Sequence, residues 1–194
     1  MIQKSNGLPA FQTLIAHSID QTKKEAVWID TGNESSTYAL ASQGSESLMQ
    51  KVKIGRAFTP YQHYQTVMEL EKFINDKTEI VALPNITSLY AEGQMRQDEA
   101  EQLFEETWQK IQEIKQKHDL KIMVSVQEED RSQIGFKVRM NSDNKIKIEN
   151  NSEGINYDSN SFETFFYRKN GFVQTTMPYW GQKIGKKARK KVEN

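Results

Sequence analysis

Ala26-Val27-Trp28-Ile29, closed by Asp30-Thr31, and Ile80-Val81-Ala82-Leu83, closed by Pro84, are the stretches that decide the fold. Each is four apolar residues without alternation, stopped by a residue that punctuates a strand. Such runs read as strands buried on both faces, and strands of that kind belong to parallel sheets covered by helices.

Outward from these two runs the period changes to that of helices. Pro60 opens a helix expected to reach about Phe73, with Tyr64, Val67, Met68, Leu70 and Phe73 as its buried stripe. Ala100, Leu103, Phe104, Trp108, Ile111 and Ile114 recur at three and four residues, which predicts a long helix from about Arg96 to His118. Pro9 suits a first helical position, so a helix is expected over roughly Ala10 to Asp20, and another over Thr37 to Gln50. Lys51–Phe58 and Lys121–Val126 read as further strands. Beyond them Lys145–Glu149, Glu163–Tyr167 and Phe172–Thr175 alternate apolar and polar residues between turn signals, the pattern of antiparallel strands.

The expected order therefore begins with a helix and alternates with strands. This is an α/β layered fold with a mainly parallel central sheet, right-handed crossovers and antiparallel strands added at the C-terminal end. In such sheets ligands bind beyond the carboxyl ends of the strands. That edge carries Asp30, Pro60, Pro84 and Gln127.

Composition bounds the rest. The chain has 194 residues, 26 basic and 26 acidic side chains and no cysteine. Zero formal charge gives no global attraction to nucleic acid or membrane. The lack of thiols removes disulfides and thiolate metal sites. His17, His63 and His118 are too scattered for a zinc motif, so no metal is expected. With no run of about 18 apolar residues, the expectation is a soluble, cytoplasmic protein that does not enter the membrane.

The segments Val27–Asn33, Arg56–Tyr64, Ile80–Tyr90 and Met123–Gln127, taken in order, resemble the ATPase core of the RecA/RadA recombinase superfamily, and within it a small archaeal relative of the RadA paralogues. The resemblance spans roughly residues 7 to 127. It implies a RecA-like three-layer sandwich over residues 1–180, with 181–194 as a basic tail. It also implies where nucleotide-handling groups would fall. The phosphate loop corresponds to Asn6–Thr13, with Gly7 retained, Gln12 where a lysine belongs and Thr13 in the hydroxyl position. Pro84 stands where a carboxylate would orient magnesium, and Gly32 where a catalytic glutamate follows the Ile-Asp-Thr run, with Glu34 close by. Gln127 matches a glutamine that senses the terminal phosphate.

Phosphoryl transfer works through positioned charge, and losing one stabiliser costs about 10² to 10³ in rate. Three such absences imply a pseudo-ATPase, with no cofactor expected, ATP and magnesium being the alternative. The leading expectation is an accessory protein in DNA recombination or repair that binds a recombinase partner or single-stranded DNA. The alternatives are a divergent hydrolase using Asp30, Glu34 and Gln127 with a cation from another subunit, and a homo-oligomeric scaffold.

Three further segments carry two readings each. Arg56, Phe58, Tyr61 and Tyr64 form a contact for a partner or a single strand, with bases stacking on Tyr61 or Tyr64, or else Phe58 and Tyr64 are core and Pro60 is a helix start. Lys183, Lys186, Lys187, Arg189, Lys190 and Lys191 either neutralise phosphates of DNA or RNA or solubilise a disordered end. Met177-Pro178-Tyr179-Trp180 either packs the last strand or anchors a partner.

Overall fold

The computed structural model describes residues 2–4, 15–16, 18–19, 21–31, 46–91, 95–150, 152, 154–161, 163–169 and 172–175. One sheet of nine strands organises them: β1 (Ile2–Lys4), β2 (Glu25–Asp30), β3 (Val52–Arg56), β4 (Thr78–Leu83), β5 (Lys121–Gln127), β6 (Ile146–Asn150), β7 (Gly154–Ser159), β8 (Glu163–Lys169) and β9 (Phe172–Thr175), in the spatial order β3-β2-β4-β5-β1-β6-β7-β8-β9. The six strands from β3 to β6 are mutually parallel, and β7, β8 and β9 continue antiparallel.

The helices are α1 (Glu46–Met49), α2 (Pro60–Met68), α3 (Ser88–Ala91), α4 (Gln97–His118) and α5 (Gln133–Met140), with a 3-10 turn over Leu70–Phe73 and further helical residues at 15, 16, 18, 19, 21 and 22. If each crossover is right-handed, as is general for parallel strands, the direction in which a connection steps sets the face its helix covers. Connections that step toward β3, from β1 to β2 and from β2 to β3, bring Ile15, Ile19 and Leu48 against Ala26, Trp28, Ile80 and Ala82. Connections that step the other way, through α2, α4 and α5, bring Val67, Phe104, Trp108, Ile111 and Val138 against Val27, Ile29, Val81 and Leu83. Alternate residues of β2 and β4 thus feed two cores, and the result is helices, sheet, helices in three layers.

Local chemistry fixes the helix ends. Thr59, in extended conformation, accepts the Gln62 N–H on its hydroxyl while Pro60 fills the first helical position. α4 carries Asp98 and Glu99 in its first turn and Lys115, Lys117 and His118 in its last, both favourable to the helix dipole. It stops at Asp119, which is left-handed at φ 51°.

Several sequence expectations need correction. The chain opens on a strand, since Ile2–Lys4 inserts between β5 and β6. The strand expected over Lys51–Phe58 is shorter, Val52–Arg56. The helix from Pro60 does not run on to Phe73: it yields at Glu69 to the 3-10 turn. Of the helix expected over 37–50 only Glu46–Met49 falls among the described residues as helix. The helix expected to end at Asp20 is still helical at Gln21 and Thr22. α5 and β7 have no counterpart in the sequence reading.

Candidate functional site

The carboxyl edge of the parallel strands has two crevices where neighbouring strands send their connections to opposite faces, the arrangement that favours a ligand. One lies between β2 and β4, the other between β5 and β1.

At the first, Asp30 ends β2 and is 1% exposed. Its strand register sets it beside Arg56 of β3, whose Nε lies 3.9 Å from Asp30 Oδ2. A buried carboxylate needs such compensation, and the half-exposed guanidinium supplies it. Thr31 follows and is fully buried. Its hydroxyl donates to the carbonyl oxygens of Pro84, at 2.7 Å, and Asn85, at 3.0 Å. Its own carbonyl accepts the Ser88 hydroxyl at 3.0 Å. Asn85 turns the chain at φ 49°, its N–H donating to Ser125 Oγ at 2.7 Å, and the Ile86 N–H donates to Ser125 O at 3.1 Å. Protein hydrogen bonds therefore stitch the tips of β2, β4 and β5 together.

At the second crevice Lys4, the last residue of β1, is in register with Gln127, the last of β5, on one side and with Ile148 of β6 on the other. Gln127 is half-buried. Gly7, Gln12 and Thr13 lie outside the described residues, as do Glu34 and all of Lys183, Lys186, Lys187, Arg189, Lys190 and Lys191. Asp30, Arg56 and Gln127 share one edge, but Asp30 and Gln127 sit at different crevices, on β2 and β5, with β4 between those strands.

Beyond Gln127 lies a cluster that the sequence reading missed. The Asp130 carboxylate accepts the Ser132 N–H at 2.9 Å and its hydroxyl at 2.6 Å, Ser132 Oγ accepts the Gly135 N–H at 3.0 Å, and Arg139 donates to the Asp130 carbonyl. Burial alone would raise the Asp130 pKa, but the Ser132 hydrogen bonds and the Arg139 charge hold it below the usual value. Asp-x-Ser ahead of Ile134 and Val138 was the available signal for this capped helix.

A second polar group is buried under α2, α3 and α4. Thr107 Oγ1 donates to the Leu103 carbonyl at 2.7 Å, so it accepts from the Tyr90 hydroxyl at 3.3 Å, which in turn accepts from His63 Nδ1 at 2.9 Å. Burial lowers the His63 pKa to about 4 and raises that of Tyr90 to about 12, so both are neutral near pH 7.

The four aromatic-segment residues separate. Phe58 and Tyr61 are exposed, at 60% and 55%, which removes Phe58 from the core; Tyr64 is half-buried. The Tyr61 hydroxyl donates to Glu99 on α4. Pro60 does open α2, and it is buried.

Among the described residues no group of three or more His, Cys, Asp or Glu is arranged to hold a metal ion, and no helix is long and apolar enough to cross a membrane. No protein-family model matches the chain, and no curated protein matches it.

Proposed function

We propose that this protein is a catalytically degenerate, RecA-like accessory factor of DNA recombination or repair that engages a recombinase or single-stranded DNA. The observation that carries the reading is the Thr31 stitch. In the resemblance the tip of β4 holds magnesium through a carboxylate. Here Pro84 offers no side-chain oxygen, and its carbonyl accepts the Thr31 proton at 2.7 Å. The neighbouring carboxylate, Asp30, faces Arg56. The arrangement of β1, with its end beside Gln127 and the degenerate loop sequence following it, supports descent from a phosphate-binding scaffold.

The charges near the exposed aromatics divide the binding work. Arg56 faces Asp30, Arg96 lies 3.3 Å from Asp98, and Tyr61 is committed to Glu99. Cations already paired attract phosphates weakly, so Phe58 and Tyr61 suit a protein contact. Binding to nucleic acid falls to the basic residues Lys183 to Lys191.

Fluorescence anisotropy with labelled single strands over a salt series, with a recombinase pull-down alongside, tests the reading. Affinity that falls steeply with salt, or recombinase capture lost in a Phe58→Ser/Tyr61→Ser variant, is expected. Absence of both overturns it. Calorimetry with ATP and magnesium addresses the hydrolase alternative, since saturable binding with turnover would replace the proposal.

A further inference from the structure

β3 is an outer strand of the sheet and pairs only with β2. The Ala26 N–H donates to the Lys51 carbonyl and the Ala57 N–H to that of Asp30, so by the alternation of a parallel ladder Lys53 and Gly55 also face β2. Val52, Ile54 and Arg56 therefore aim their N–H and C=O groups away from the sheet. Among the described residues no hydrogen bond reaches these groups.

An open edge is a template for another strand unless something blunts it. Proline and bulges do so, and β3 has neither: its register with β2 is unbroken from Val52 to Arg56. Charged side chains do so too, but both of those here are drawn inward. Lys53 Nζ donates to the Phe73 carbonyl at 3.1 Å and lies 3.5 Å from Glu25 Oε2, and Arg56 turns to Asp30. The chain leaves β3 through α2 toward β4, away from the edge. Val52 and Ile54, half-buried at the margin of the core beneath β2, leave apolar surface there.

The hydrogen-bonding pattern itself selects the occupant. The outward residues are symmetric about Ile54, so a second β3 laid antiparallel across a two-fold axis at Ile54 pairs that residue with its own copy and Val52 with Arg56 in both directions. Six hydrogen bonds then close, and no outward group of the strand is left over. The set ends there because the next outward N–H, that of Phe58, is committed to Gln62 Oε1 at 2.9 Å. On the other face Lys53 of each copy falls opposite Gly55 of the other, so no like charges meet. An axis at Lys53 would set the two lysines directly opposite each other and leave Arg56 unpaired. An axis at Gly55 would face Val52 with the committed Phe58 N–H.

We propose that β3 pairs with β3 of a second copy, antiparallel about Ile54, so that two nine-stranded sheets become one. An isologous contact of this kind closes as a dimer. The proposal does not depend on the recombination reading, and failure to bind a recombinase or DNA leaves it standing.

Sedimentation of the full chain over a concentration series, with substitutions at Gly55, tests it. A Cβ at that position would meet Thr66 Cγ2 at an ordinary 3.5 Å, so the fold admits a side chain there. Gly55→Lys sets like charges opposite Lys53 on both sides of the axis and should raise the dimer dissociation constant roughly tenfold, while Gly55→Glu should lower it. A loss of folding would move both variants the same way. Because the chain has no cysteine, Ile54→Cys places a single thiol of each copy on the axis. The Cα atoms of such a pair lie about 5.5 Å apart, within disulfide reach. Mild oxidation should crosslink Ile54→Cys but not Phe136→Cys, whose side chain is exposed on α5. A monomer at every concentration, growth beyond a dimer through the β9 edge, the same response to lysine and glutamate at position 55, or no crosslink at position 54 overturns the proposal.

Discussion

Thr31 Oγ1 lies 2.7 Å from the carbonyl oxygen of Pro84, 53 positions further along the chain, and joins the tips of two adjacent parallel strands. The bond has a second arm to Asn85 O at 3.0 Å. Both carbonyls are buried with Thr31, so neither has easy recourse to water. Thr31→Val keeps the shape and deletes the donor. It should cost about 1–3 kcal/mol, the desolvation penalty of buried acceptors left without a partner, read as a lower urea midpoint with unchanged slope. Thr31→Ser, which keeps the hydroxyl, should recover most of the loss.

This stitch shows where sequence reasoning reaches and where it stops. β2 and β4 are visible as unbroken apolar runs because burial on both faces demands them, and α4 is visible because six apolar residues repeat over its length. β1 has three residues, too few to show a period, and its position is set by pairing with strands more than 120 residues away. α5 buries only Ile134, Gly135 and Val138 and leaves Phe136 and Met140 exposed, so its apolar positions mark no single face. Asp30 is recognisable as a strand stop, but its pairing with Arg56 depends on the register between β2 and β3. Phe58 has the residue type of a core position, one of its two readings, yet it is exposed while Ala57 beside it is buried, a difference that residue type does not predict.

Gly135 is required by Asp130. A Cβ at position 135 would meet the Asp130 carboxyl at 2.7 Å, while that carboxyl is held in place by Ser132. Alanine is the better helix former by about 0.8–1 kcal/mol, so the sign of Gly135→Ala depends on which effect wins. Overpacking of about 1–3 kcal/mol, together with displacement of the cap, makes the substitution destabilising. In an Asp130→Ala background the clash is gone and Gly135→Ala should stabilise. A double-mutant cycle by urea denaturation checks the reversal.

Glu71 ties the 3-10 turn to α4. Lys117 Nζ lies 2.5 Å from one carboxylate oxygen and Lys110 Nζ 2.9 Å from the other, and these bonds lower its pKa to about 2. With the folded value depressed, the contribution is present above the unfolded value of about 4.5 and is lost as pH falls toward 2. Wild-type stability should therefore fall across that window more steeply than that of Glu71→Gln. Because the site is at the surface, salt should reduce the difference. Urea midpoints at pH 4.5, 3.5 and 2.5, in low and high salt, measure it.

His63 gives the chain a second pH dependence, at higher pH. The imidazole is fully buried, its Nδ1 committed to Tyr90, and Nε2 has no partner among the described residues that could stabilise a second proton. A second proton on the folded imidazole would therefore sit buried without a partner, which disfavours the charged form. The folded value near 4 lies below the unfolded value of 6.5, so the unfolded chain takes up the proton first. Stability is complete above pH 6.5 and is lost as pH falls toward 4, by on the order of 3 kcal/mol for a shift of that size. His63→Phe removes the titration while Tyr90 can still donate to Thr107. The variant should be somewhat less stable than wild type at pH 7.5, through the acceptor left on Tyr90, and its stability should change less between pH 6.5 and 4.5. Equal slopes in the two proteins would show that His63 is already solvated in the folded state.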